Sequence, residues 1–232
     1  MKKINGMHMN KVIFILLTLF SFSALANSVL SMKERSALID TILEQRFSDV
    51  LPEIMEREGI DMWVLMSREY NEDPVLKTML PSTWLAARRH TMLVIYNPGD
   101  GRPLEKLAVA RYAVGSLFEK AWDKEAQPDQ WQALKHIIES RNPTKIAINT
   151  SDAFALADGM TSTEYNRFMA TLSDQFKRRV VSGEMLAIGW LETRSELEMK
   201  HYPALAQIGH SLIATAFSKE LITPNVTTTD DV

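Results

Sequence analysis

Five residues carry most of the chemistry that this sequence offers: Arg68, Asn71, Asp73, Arg88 and Arg89. They bracket a long polar stretch, residues 67–89, punctuated by Pro74 and Pro81. Arginine grips a carboxylate through a bidentate fork. Loops held by a rigid sheet commonly carry binding work. The same set admits a second use, in which Asp73 pairs with Arg88 or Arg89 and pins the loop. Replacing Arg88 separates the two uses: a binding residue changes affinity, whereas a pinning residue changes thermal stability.

Other chemistries lack the residues they need. The chain has no cysteine, which excludes thiolate metal sites, iron–sulfur clusters, thiol nucleophiles and disulfides. There is no Gly-x-Ser-x-Gly elbow, no HExxH pair, and no glycine-rich phosphate loop. The histidines are His8, His90, His136, His201 and His210. His201 and His210, at about 100° per residue, face opposite sides of one helix and cannot share an ion. Asp230-Asp231 reads as helix-cap chemistry. No catalytic residue and no metal ligand is therefore assigned within the chain. Trp63 and Trp131 sit inside apolar patterns and read as core.

The composition is that of a globular protein: 232 residues, 46% hydrophobic and 24% charged. Twenty-six bases against 29 acids leave a net charge of −3, which gives no footprint for nucleic acid. Residues 1–26 read as a secretory signal. Lys2, Lys3 and Lys11 precede an apolar run of 11 residues from Val12 to Phe22, and Ala24-Leu25-Ala26 supplies the cleavage pattern, with the cut after Ala26. The run is too short for a membrane anchor, which takes about 20 residues. The expected product is periplasmic or secreted.

The elements that must position the five residues alternate between helix and strand. Residues 31–58 form a helix, with Ser31 and Glu34 as a capping box, Pro52 interrupting and Gly59 stopping it. Residues 60–66 read as a buried strand. Residues 91–96 and 104–112 form a hairpin about the turn at 97–101. Pro128 opens a helix to about Arg141, and residues 145–149 form a short strand. Thr161 and Glu164 cap a helix to about Leu172, and Val180-Val181 form a last strand. The fold class is α/β: a mixed β-sheet flanked by helices. Gly189 to Arg194 reads as a linker. Beyond it Ser195 and Glu198 cap a helix whose apolar residues, from Leu197 to Phe217, recur at helical spacing.

The segment Glu192-Thr193-Arg194-Ser195-Glu196-Leu197-Glu198-Met199-Lys200 resembles the domain junction of the pita-bread metallohydrolases, the family of Xaa-Pro aminopeptidases, prolidases and creatinases. Arg194 and Ser195 stand where that family has a basic residue and a Ser or Thr before a Glu-bearing helix. Residues 221–232 resemble its Pro-Gly-x-Thr turn, with Asn225 in place of Gly. Arg68-Glu69-Tyr70-Asn71-Glu72-Asp73-Pro74 and Ala87-Arg88-Arg89 resemble secreted, aminopeptidase-like members. The resemblance spans roughly residues 32–232.

The resemblance implies a creatinase/prolidase-like amino-terminal domain over 27–190, then a linker and the first helix of an incomplete pita-bread α+β domain over 191–232. It implies that the chain restricts the catalytic cleft of an exported metallohydrolase and mediates homo-oligomer formation. The five residues would then meet a peptide substrate or its terminus. The family's divalent metal pair (Mn, Zn or Co) is held by residues that match nothing in this chain, so the chain alone is expected to be inactive. Two alternatives stand beside this reading: a non-catalytic binding or assembly module of the same fold, and a fragment of a creatinase-like amidinohydrolase.

Overall fold

The computed structural model describes residues 29–231. The expected signal segment and cleavage site, residues 1–26, lie outside the described residues. The chain divides into two compact units, one formed by Ser36–Lys200 and the other by residues 29–35 with 201–231.

The larger unit is built on a six-stranded mixed sheet, which is the expected fold class. The strands are β1 Met62–Arg68, β2 His90–Tyr96, β3 Glu105–Val109, β4 Glu119–Lys120, β5 Ile146–Ile148 and β6 Val180–Ser182, in the order β4-β3-β2-β1-β5-β6. β2 runs antiparallel to both of its neighbours, β1 and β3, and β1, β5 and β6 run parallel. Alternation along β1 sends Trp63 and Leu65 to one face and Met62, Val64 and Met66 to the other. Both faces are covered, which is why β1 and β2 read as unbroken apolar runs.

One face is covered by α1 Met32–Gln45, α2 Leu51–Glu58, α3 Pro74–Thr78 and, from the far end of the unit, α7 Glu184–Glu192. The other is covered by α4 Gln130–Arg141, α5 Ser162–Thr171 and α6 Asp174–Lys177. Pro52 has no N–H to give the preceding turn, and the chain widens into a π turn over Arg46–Val50 before α2 resumes. Gly59 ends α2 in the left-handed conformation, φ 61°.

Two expectations are corrected. Pro128 does not enter the first turn of α4: Asp129 caps the helix by accepting from the Trp131 N–H, so the proline lies one residue before the cap. The stretch 67–89 is mostly loop, as expected, and carries one short helix: Asp73 caps α3 through the Leu76 N–H. The linker expected at Gly189–Arg194 is mostly helix, because α7 runs to Glu192. Gly189 breaks nothing there. A Cβ at that position would stand 2.9 Å from Ile54 Cγ2 and 2.9 Å from Arg57 Nη2, so the glycine serves close helix packing.

Arg46 fastens the end of α7 to this unit. Its guanidinium donates to the Thr193 carbonyl at 2.6 Å, to Glu198 Oε2 at 2.7 Å and to the Trp190 carbonyl. Its Cζ stacks 4.2 Å above the Trp190 ring. The residue is 5% exposed, so these partners carry a charge that water does not reach.

In the smaller unit the Ser31–Glu34 capping box forms in both directions, at 3.3 and 2.8 Å. α8, Glu196–Ala216, crosses from the larger unit into this one. It buries no residue, and Leu205, Leu212, Ile213 and Phe217 are exposed. Asn225 adopts φ 62°, the left-handed conformation asparagine tolerates. No helix among the described residues is long and apolar enough to cross a membrane.

Candidate functional site

β1 and β5 run parallel, and the chain leaves β1 toward β2 on one side and returns to β5 on the other. Ligands of open α/β sheets gather beyond the carboxyl ends of strands at such a reversal. Here that end of the sheet carries Arg68, the last residue of β1, opposite His90, the first of β2.

The backbone around this point is unusual. Tyr70 and Arg89 both take positive φ, 71° and 57°, though neither is glycine or asparagine. A non-glycine residue held there costs about 1–2 kcal/mol. The Glu69 N–H donates to the Arg89 carbonyl at 2.8 Å, and Glu69 Oε2 accepts from the Arg89 N–H at 3.1 Å, which holds the two strained turns together. Tyr70 is thereby 92% exposed. Strain of this kind concentrates where a side chain must be presented.

Beside the turns lies a cleft of about 180 Å³ lined by Trp84, Arg88, Arg89, His90, Arg111 and Trp122, among others. Arg88 stacks on Trp84, its Cζ 4.2 Å from the ring. Stacking occupies the flat face of the guanidinium and leaves its N–H edge available. Among the described residues no carboxylate forms an ion pair with Arg88, Arg89 or Arg111. The floor is fixed: Trp122 donates its indole N–H to the Gln127 carbonyl at 2.7 Å, and Gln130 donates to the His90 and Val109 carbonyls. Three cations and two indoles around a volume this small suit one carboxylate group with a flat or short neighbour.

Glu164 sits against His90, a residue of the cleft's lining. It is 3% exposed, and its Oε1 lies 3.2 Å from His90 Nε2 and 3.7 Å from Arg68 Nε. The approach of His90 is off the axis of a hydrogen bond, and both atoms are sealed from solvent. Oε2 closes the Thr161 capping box at the start of α5. Burial alone would raise the Glu164 carboxyl, but the His90 ring and the Thr161 donors outweigh it and hold the group below its usual range.

The five sequence-selected residues separate into two groups. Arg68, Asn71, Arg88 and Arg89 are exposed around the strained turns, and Asn71 bridges back to Arg68 through its backbone. Asp73 is fully buried. It pairs with neither Arg88 nor Arg89. Its Oδ1 accepts from the Leu76 N–H, and its Oδ2 accepts from Asn149 Nδ2 at 2.8 Å, while Asn149 Oδ1 accepts from the Trp63 indole at 2.8 Å. Burial pushes the Asp73 carboxyl up. Asp73 therefore ties the end of β1 to the end of β5 from below.

Sequence reasoning did not reach Trp84, Arg111, Trp122 or Glu164 as members of this site. Glu164 carried a signal, but only as a capping residue. Among the described residues no group of three or more His, Asp or Glu lies close enough to hold a metal ion. The metal pair that the family resemblance implies thus finds no fitting set among the described residues.

No protein-family model and no curated protein matches the chain. A Xaa-Pro dipeptidase from Bacillus anthracis is similar in structure, with a TM-score of 0.49 and 14% sequence identity over 82% of this chain and 46% of that one. The chain thus spans about half the length of that dipeptidase.

Proposed function

We propose that this chain is the amino-terminal, cleft-restricting domain of an exported Xaa-Pro-aminopeptidase-like metallohydrolase, and that its sheet-end cleft receives the carboxylate of a peptide. The observation that carries this reading is the set Arg88, Arg89 and Arg111, without carboxylate partners among the described residues, around a cleft with Trp84 and Trp122. The motifs at 192–200 and 68–74 support the assignment to that family. Hydrolysis would be the work of metal-binding residues outside this set, and the chain would supply recognition and a barrier to large substrates.

Calorimetric titration of the purified chain with a Xaa-Pro peptide, and with the same peptide as its carboxy-terminal amide, tests this. The acid binds and the amide binds at least about tenfold more weakly, since a charged bidentate contact contributes about 1.5–3 kcal/mol. Added Mn²⁺, Zn²⁺ or Co²⁺ leaves the peptide uncut. Equal binding of acid and amide, or cleavage by the chain alone, contradicts the proposal.

A second reading, an assembly module of the same fold, is favoured by one observation: Leu205, Leu212 and Ile213 of α8, and Phe217 just beyond its end, are exposed. Homo-oligomer formation through that face would fall on Leu212→Glu, measured by sedimentation, with peptide binding unchanged.

A further inference from the structure

A second cleft opens at the opposite end of the same sheet. It has a volume of about 680 Å³ and lies between α2, the turn from α2 into β1, and the β2–β3 hairpin. That size accommodates a small organic ligand, unlike the cleft beside Arg88. Phe47, Met55, Ile60 and Leu104, all buried in the sheet-and-helix core, form its apolar wall.

At its inner side is Lys106. This lysine stands opposite Ile95 in the β2–β3 register, two residues before Ala108, and so belongs to the face of the sheet that holds Trp63, Leu93 and Ile95. An apolar residue is expected at such a position. The ammonium lies 5.3 Å from the centre of the Phe47 ring and has no carboxylate within ion-pair distance among the described residues. Burial holds its proton less tightly than in a free lysine, and the charge of Glu44 offsets this only in part. The acids of the lining do not answer it. Asp61 is occupied by the Thr144 and Lys145 N–H groups, and Glu56 and Asp100 are exposed at the rim. Arg102 is engaged with the Pro98 carbonyl.

A half-desolvated cation with an apolar wall and open volume is complementary to an anion with an apolar body. An entering carboxylate gains the ion pair that the chain leaves unmade, and its hydrocarbon part covers Phe47 and Leu104. We propose that this cleft is a binding site for a small amphipathic carboxylic acid, with Lys106 receiving the carboxylate and the Phe47–Met55–Leu104 wall receiving the apolar part. The site is independent of the peptide-carboxylate cleft: different residues, the other end of the sheet and a different ligand shape.

The test uses the full chain with 3-phenylpropionate and, as its uncharged counterpart, 3-phenylpropanol, followed through the methyl signals of Met55 and Leu104. The acid shifts those methyls and binds at least tenfold more tightly than the alcohol. Lys106→Gln removes that preference. Equal affinity of acid and alcohol overturns the proposal, as does a preference retained in Lys106→Gln or a response confined to Trp84 and Trp122. In that last case the acid occupies the arginine cleft only. The comparison of acid with alcohol on the unaltered chain decides the matter even if Lys106→Gln does not fold. A lysine that does no more than border the cleft would give no methyl shift with either probe, which also overturns the proposal.

Discussion

Arg68 and His90 face each other across the β1–β2 ladder, and both bring a nitrogen to the same buried oxygen, Glu164 Oε1, at 3.7 and 3.2 Å. A single carboxylate on α5 thus holds the open end of the central strand pair, directly beneath the turns that carry Tyr70 and Arg89. The arginine cleft and the strained turns share this support.

Glu164→Gln removes the charge while keeping the shape. The expected loss is about 1–3 kcal/mol, because Arg68 loses its anionic partner and the Thr161 donors lose a charged acceptor. The pH dependence has a definite sign. Glu164 is held below its ordinary value of 4.5, so its contribution is present above about pH 4.5 and is lost as pH falls through the lower folded value. Melting temperature measured across acid pH therefore drops in the unaltered chain, and that part of the drop is missing in Glu164→Gln.

Gly159 lies against the Asp73 carboxylate. A Cβ there would stand 2.1 Å from Asp73 Oδ2 and 3.0 Å from Asp73 Cα. Neither atom is the free end of a flexible chain, since Asp73 is fixed by Leu76 and Asn149. Gly159→Ala is expected to destabilise by about 1–3 kcal/mol through overpacking, and denaturant titration measures it.

Arg46→Met is expected to destabilise by about 3 kcal/mol, since Glu198 and the carbonyls of Trp190 and Thr193 lose a buried donor. Arg57→Ala, which breaks an exposed pair with Glu58, should change stability by less than about 1 kcal/mol. The contrast between the two, read from urea midpoints, separates fastening of α7 from surface charge.

Arg89→Gly splits strain from binding. Glycine adopts φ 57° without penalty, so the variant should be as stable as the parent or more stable, by up to about 1 kcal/mol. It should nonetheless bind a peptide carboxylate several-fold more weakly. A variant that loses stability and keeps affinity would assign Arg89 a structural role.

The sheet was legible because its signals are local. Apolar runs flanked by turn residues mark β1, β2 and β3. Capping boxes at Ser31–Glu34, Thr161–Glu164 and Ser195–Glu198 mark helix starts, and all three form. What was not legible depends on contacts between distant residues. Asp73 meets Asn149, 76 positions away, and this removes it from the loop chemistry that its neighbours suggested. Gly189 looked like a break because its reason for being glycine is Ile54, on another helix. The cleft draws Trp84, Arg111 and Trp122 from three separate connections, and no spacing rule joins them.

The central claim, that the arginine cleft receives a peptide carboxylate, is tested most directly by following the five indole N–H signals of the full chain while a Xaa-Pro peptide is added. Trp84 and Trp122 line the cleft, whereas Trp63 and Trp190 are sealed in the core at 0% and 1% exposure. The account predicts saturating shifts at Trp84 and Trp122, abolished by amidating the peptide, with Trp63 and Trp190 unmoved. No shift at Trp84 and Trp122, or the same shifts with the amide, would contradict it.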